Sequence, residues 1–426
     1  MDLGLNKKRP PIKIRPCFQG PRQLESKGPA MKIFLTGLLS LEMHRLENGN
    51  IGNWYIASAV LKQLINQGFE VHTTWQIHDS TLDRIGIRDG VQILPIGSME
   101  WAGASVVLEV NGDLWGDNSI LLGEEKLTEQ LFRTQRAQRE GMRTALIGTS
   151  PGPFAKTEQL EQLAKEVFSS YDLVVLREPN SAQAIAVAGF SNNNLHVLPC
   201  PSVLFDEEAS NQAMHELVRL KTKCGVQRKI GISVSAWNIA NANWDELEFS
   251  KIQLMPITRL INDILDQGDC PILISHSNGF SVDSGLFKQT KGRDRKLIDA
   301  ILRTIGKLGS RVFVLSDLAP ADMWKIIGNL DMIFAGRVHA GAAAAAQGVP
   351  VQFISYANGP FATKVQGFAE IFDQPPPIAL QSYVNSNQIF ADSLLKLQQI
   401  KAPKQDLITE IRQQSKMQFE LVALLT

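Results

Sequence analysis

The sequence predicts an α/β protein built from two Rossmann-like domains that face a cleft, and three observations carry that prediction. The chain has 426 residues, more than one ordinary hydrophobic core accommodates. Short apolar runs alternate with amphipathic helical stretches, the signature of parallel sheets with crossover helices. The alternation also restarts: Met31-Lys-Ile-Phe-Leu-Thr-Gly37 has a counterpart in Lys229-Ile-Gly-Ile-Ser-Val234. A polar, turn-like break lies between them near Leu204 to Asn211. The expected organisation is a basic disordered tail over 1–30, a first domain over 31–205, a second over 206–400, and a C-terminal helix over 401–426 that packs back on the first domain.

The elements follow in order. Residues 1–30 are rich in Lys, Arg and Pro and lack the apolar run of a secretory signal; Met31 is an alternative start. Met31 to Gly37 is a buried strand, and a loop leads to a helix from about Trp54 to Asn66, stopped by Gly68. Glu70 to Trp75, Val91 to Pro95 and Ala104 to Val110 read as strands, Leu122 to Glu140 as a helix, and Arg143 to Gly148 as a strand. An amphipathic helix over Gln159 to Phe168, a strand over Asp172 to Leu176, a helix over Ser181 to Ala188 and a strand over His196 to Pro199 complete the first half. The second half begins with a helix over Met214 to Lys223. Then come strand Lys229 to Val234, helix Pro256 to Gln267, strand Pro271 to Ser275, helix Arg293 to Lys307, strand Val312 to Leu315 and helix Ala321 to Leu330. Asp331 to Ala335 is a strand, Ala340 to Gln347 a bare alanine-glycine helix, and Val351 to Ser355 another strand. The last helix covers about Asp406 to Leu425.

Where chemistry should sit follows from topology. Open α/β sheets bind ligands beyond the carboxyl ends of their strands, where helix N-termini favour anions. Arg337 and His339 follow the strand ending at Ala335. The Arg offers a fixed cationic fork, and the His is suited to proton transfer near neutral pH. The alternative is an Arg paired with a sheet-end carboxylate and a His that caps the turn. Arg177 follows a strand in the first half, with a salt bridge to Glu178 or Asp172 as its alternative. His276 ends a strand in His-Ser-Asn-Gly.

Composition narrows the classes. Lys plus Arg equals Asp plus Glu at 43 each, which gives no basic footprint for nucleic acid. No apolar run approaches the roughly 18 residues of a membrane helix. Cys17, Cys200, Cys224 and Cys270 form no close pair, so reduced thiols in a cytoplasmic protein are the expectation. No GxGxxG or Walker A sequence is present, and neither a metal nor a cofactor is expected.

Four stretches now converge. Gly336-Arg337-Val338-His339-Ala340 leads to Gln347-Gly348-Val349-Pro350, Ile354-Ser355-Tyr356, Lys364 and Gly367-Phe368. Asp172-Leu-Val-Val-Leu-Arg177-Glu178 precedes Ser181 and Gly189. Gly148-Thr-Ser-Pro-Gly152-Pro153 and Gly49-Asn50-Ile51-Gly52-Asn53 complete the set. Together they resemble the polysaccharide pyruvyl transferase family, over about Lys32 to Asp373. The resemblance implies a glycosyltransferase-B-like fold and transfer of pyruvate from phosphoenolpyruvate to a sugar of a cell-surface polysaccharide or its precursor, forming a ketal. The acceptor would be a sugar or a lipid-linked saccharide; homo-oligomerisation is left open. The chain departs from the family at Asn53, where Asp is usual, at Val110-Asn-Gly-Asp113, where three glycines are usual, and at Cys200-Pro201, where Asp-Pro is common.

On this reading His339 and Arg337 are the catalytic candidates, and Arg177, Arg337, His339, Lys364 and His276 bind the donor. Asn50, Gly52 and Asn53 at a helix start, with Asp113, Trp115 and Asp117, bind the acceptor. An aromatic beside carboxylates suits a sugar's C–H face and hydroxyls; the alternative is a plain turn with a buried Trp. Two rival functions remain: a nucleotide-sugar glycosyltransferase of the same fold, and a degenerate, non-catalytic carbohydrate-binding protein.

Overall fold

The first sheet is all parallel and seven-stranded. β1 (Lys32–Thr36) runs into α1 (Ile51–Asn66), β2 (Glu70–Thr73), α2 (Asp79–Arg84), β3 (Val91–Ile93), β4 (Val106–Val110) and α3 (Glu125–Arg139). β5 (Arg143–Thr149), α4 (Glu158–Ser169), β6 (Leu173–Leu176), α5 (Pro179–Val187) and β7 (Leu195–Val197) complete the half. The spatial order is β3-β2-β1-β4-β5-β6-β7. The protein is represented by a computed structural model. It describes residues 31–39, 50–95, 97–101, 103–123, 125–236, 239, 249–277, 280–281, 288–289, 293–356, 360–380 and 400–426. The basic tail over 1–30 and most of the loop before α1, Gly49 included, lie outside the described residues.

The second half repeats the plan. α6 (Asn211–Cys224) leads to β8 (Lys229–Ser233), α7 (Lys251–Asp266), β9 (Cys270–Ile274) and a short antiparallel pair, β10 (Phe280–Ser281) with β11 (Lys288–Gln289). α8 (Arg293–Ile305), β12 (Phe313–Leu315), α9 (Pro320–Ile327), β13 (Met332–Ala335), α10 (Val338–Ala345), β14 (Val351–Ser355), α11 (Pro360–Ile371) and β15 (Ile378–Ala379) follow. The six-stranded order is β12-β9-β8-β13-β14-β15, again parallel. The two parallel-sheet α/β domains read from the alternation are therefore the architecture of the chain.

The halves share one apolar core. Tyr55 of α1 meets Phe205 at 4.6 Å and Trp324 of α9 at 5.0 Å between ring centroids, and these two rings meet each other at 5.1 Å. Each such pair adds about 0.5–1.5 kcal/mol beyond area burial. Around this triangle the inner faces of both sheets, with Ile33, Val71, Ile274 and Ala335, join into a continuous cluster. α12 (Gln405–Ala423) lies across it: Phe419 and Val422 are buried, Ser415 Oγ donates to the Cys200 carbonyl, and Arg412 donates to that of Ala346.

Some boundaries differ from the sequence reading for clear reasons. α7 starts at Lys251, five residues before Pro256, because Ser250 and Gln253 form a reciprocal capping box that nucleates the helix ahead of the proline. α1 starts at Ile51, not Trp54, because the Asn50 side chain caps it. The expectation of reduced thiols throughout is corrected. Cys224, at the end of α6, and Cys270, at the start of β9, form a disulfide with Cα atoms 5.5 Å apart. They are 46 residues apart in sequence, but β8 pairs with β9 so that Lys229 lies beside Cys270. Cys200 is a free, buried thiol.

Candidate active site

Five strand ends build the site. β6 delivers Arg177, fully inside the protein, and then Glu178, whose carboxylate caps α5 by accepting from the Ser181 N–H at 3.0–3.1 Å. Arg177 donates from Nε to Ser150 Oγ, which lies just beyond β5, at 2.7 Å. Its guanidinium also lies over the Phe368 ring of α11, 5.5 Å from the centroid. Neither Glu178 nor Asp172 takes its hydrogen bonds; Asp172 pairs instead with Arg143 at 2.6 Å. Arg177 Nη1 faces His339 Nε2 at 3.4 Å, across from one half to the other.

β13 delivers the second half's contribution. Gly336 has to be glycine, since a Cβ there would sit 1.8 Å from Tyr356 Oη. That hydroxyl accepts from the Ser235 N–H, beyond β8, at 2.7 Å. Arg337 then reaches a carboxylate that sequence reading missed. Asp294, fully buried in α8, accepts from Arg337 Nη2 at 2.6 Å and Nε at 3.1 Å, from Ala236 N–H at 3.1 Å and from Ser277 N–H at 2.8 Å. One carboxylate thus ties together the ends of β8, β9 and β13. Arg337 is thus paired, with a carboxylate of α8 and not of a sheet end. No local motif announces Asp294; only the convergence of three strand ends on one point does.

His339 lies in the first turn of α10, packed on α1. A Cβ on Gly52 would come within 2.3 Å of its Nδ1. A guanidinium only donates, so His339 Nε2 is the acceptor in the Arg177 contact, and the neutral ring carries its proton on Nδ1. Burial pushes the imidazole pKa well below its usual value, and Arg177 and Arg337 push it the same way. The Cys200 thiol lies 3.9 Å from the same nitrogen. His276, beyond β9, is fully buried. Its carbonyl accepts from the Ile51 N–H at 3.1 Å, and its ring meets Tyr55 edge-on at 5.6 Å. Among the described residues neither ring nitrogen has a hydrogen-bond partner. Burial first, then the neighbouring His339 and Arg337, hold its pKa well below the usual value.

Lys364 of α11 is not a surface lysine. It is buried, and its ammonium crosses to the first half, donating to the Ser150 carbonyl at 2.9 Å and that of Gly152 at 2.6 Å. Burial lowers its pKa to about 8, against the pull of Asp113, Glu178 and Asp117.

The expected acceptor groups fare differently. Trp115 has no exposed surface; it packs against Phe154, Phe168 and Phe190, so it offers no platform to a sugar. Asp117 accepts from Lys156 N–H at 2.9 Å and Thr157 Oγ1 at 3.0 Å, which makes it a loop brace. At the start of α1, Ile51 N–H donates to His276, Gly52 N–H to Asn50 Oδ1 and Asn53 N–H to the Asn50 carbonyl. These N–H groups are therefore used inside the protein and not held out to an anion. Asp113, half-buried and bonded to Asn118, lies with Asp117 near Lys364 of the other half, and Gly52 lies against His339.

A family model described as polysaccharide pyruvyl transferase matches residues 50–358. The chain belongs to that family. Solved structures agree on the fold. UDP-GlcNAc 2-epimerase from Methanocaldococcus jannaschii superposes with a TM-score of 0.56 at 13% identity, covering 92% of this chain and all of that one. The UDP-GlcNAc 2-epimerase from Neisseria meningitidis bound to UDP-GlcNAc gives 0.55 at 11% identity, with 92% and 100% coverage. Sucrose-phosphate synthase from Thermosynechococcus elongatus gives 0.54 at 11%, with 92% and 98% coverage. At such identities they establish the glycosyltransferase-B-like architecture alone. No curated protein sequence matches the chain. Among the described residues no helix is long and apolar enough to cross a membrane.

Proposed function

We propose that this family member transfers pyruvate from phosphoenolpyruvate to two hydroxyls of a sugar, releasing phosphate and forming a ketal, in the cytoplasm and without a cofactor. The observation that carries the reading is the meeting of Arg177 and His339 from opposite domains beside Arg337, at the carboxyl ends of both sheets. Phosphoenolpyruvate carries a phosphate and a carboxylate, and Arg177 is a guanidinium whose hydrogen-bond partners are both neutral. It is the natural anchor. Arg337 adds its field and is held by Asp294. His339, neutral with Nε2 as acceptor, is suited to receive a proton from an attacking hydroxyl once Arg177 turns to the donor. Lys364 joins the domains from behind the site.

The test is calorimetric titration with phosphoenolpyruvate, with UDP-sugars as controls and Arg177→Gln as the comparison. A charged hydrogen bond contributes about 1.5–3 kcal/mol, so the variant should bind about tenfold to a hundredfold more weakly. With a competent acceptor, phosphate release should equal ketal formed. Binding of a UDP-sugar but not phosphoenolpyruvate would move the chain to nucleotide-sugar transfer. Sugar binding with no turnover of either donor would make it a non-catalytic member.

A further inference from the structure

His276 has no task in the donor chemistry proposed for this site. It is fully buried and, among the described residues, both its ring nitrogens lack a partner, although buried polar groups are nearly always bonded. Around it stand Tyr55 of α1 and Arg337 and His339 at the start of α10, with Asp294 of α8 bound to the neighbouring Ser277 N–H.

The charges of the site do not balance a donor that carries both phosphate and carboxylate. Asp294 neutralises Arg337. Lys364 is turned to the Ser150 and Gly152 carbonyls, near Asp113, Glu178 and Asp117. Arg177 shares the field of the Glu178 carboxylate with Lys364, so among the described residues the cations of the site are matched by carboxylates before a ligand arrives that bears about two negative charges on phosphate alone. A proton taken up with the ligand would supply part of the missing charge. His339 is not the group to take it, because its Nε2 has to stay unprotonated to receive the proton of the attacking hydroxyl. His276 has no such conflict at either nitrogen.

We propose that His276 is a ligand-binding residue that becomes imidazolium when the site fills, so that the donor anion enters together with one proton. The inference rests on the donor reading of this site. Linkage then requires anion affinity to fall as pH rises, approaching tenfold per pH unit for one proton.

The experiment is calorimetry near pH 7 in buffers of differing ionisation enthalpy, with phosphoenolpyruvate and with sulfate, a dianion that does not itself titrate there. Wild type should take up about half to one proton per sulfate bound. His276→Gln should bind more weakly with uptake near zero, whereas His339→Gln should retain the uptake. If His276→Gln fails to fold, the wild-type and His339→Gln values decide. Phosphoenolpyruvate and sulfate binding without uptake, uptake undiminished in His276→Gln, or uptake lost in His339→Gln overturns the inference and leaves the donor reading intact. Sulfate binding with the expected uptake while phosphoenolpyruvate fails to bind removes the donor reading and keeps the proton linkage. No binding of either anion overturns both.

Discussion

Gly52→Ala should destabilise the protein and disable the site, although in most helices the same change strengthens them. An alanine in place of glycine in a helix is worth up to about 1 kcal/mol. Here the new methyl would sit 2.3 Å from His339 Nδ1 and 2.5 Å from its Cβ and Cγ. Turning the imidazole relieves the contacts with ring atoms but not the one with Cβ, which the α10 backbone fixes. Either α1 or α10 must therefore move, and α10 carries Arg337 with it. Overpacking of this kind costs about 1–3 kcal/mol; set against the full helix gain, the net loss is up to about 2 kcal/mol. A displacement of order 1 Å at a catalytic group lowers turnover by about a hundredfold. Urea denaturation reads the first quantity and phosphate release the second. His339→Gly removes every overlapping atom, so the double variant should lose less stability than the two single losses together. A Gly52→Ala protein as stable as wild type, with unchanged affinity for phosphoenolpyruvate, would refute the packing reasoning.

Other predictions follow from the same contacts. Asp294→Ala leaves Arg337 and two N–H groups without their acceptor, and should cost about 3–5 kcal/mol in equilibrium unfolding. Lys364 has a folded pKa of about 8 against an ordinary 10.5. Its depressed value means that stability is present above the unfolded pKa and lost as pH falls through the folded one. Wild type should accordingly gain up to about 3 kcal/mol relative to Lys364→Met between about pH 8 and 10.5, which denaturation at stepped pH will show. Reduction of the Cys224–Cys270 bond, which closes a loop of 46 residues, should lower stability by about 4 kcal/mol. Comparing denaturation midpoints with and without reductant checks this.

The sheets were readable because most of their strands are short apolar runs with helix on either side, and the site's Arg and His lie where such sheets must place them. What escaped was non-local. Asp294 sits in an unremarkable polar stretch, and its role arises because three strand ends point their donors at it. Trp115 and the two Asp residues beside it look alike in sequence whether they line a surface or fill a core; the packing of Phe154, Phe168 and Phe190 decides. The start of α1 looks like a free anion cradle until β9 is brought against it and takes the Ile51 N–H. The cysteine pair is invisible for the same reason, since only β8 beside β9 brings its members together.

α10 carries a last consequence, for mutational tolerance. From His339 to Ala345 every position is buried, and all but the first are alanine or glycine. At Gly341 even a methyl would come within 2.3 Å of Phe353. The segment acts as a shim whose thickness fixes how far Arg337 and His339 stand from the opposite domain. Almost any codon change that enlarges it would push those two side chains out of reach without altering either. The vulnerable target of this protein is therefore several times larger than its set of chemically active residues, and most of it is made of the plainest side chains in the chain.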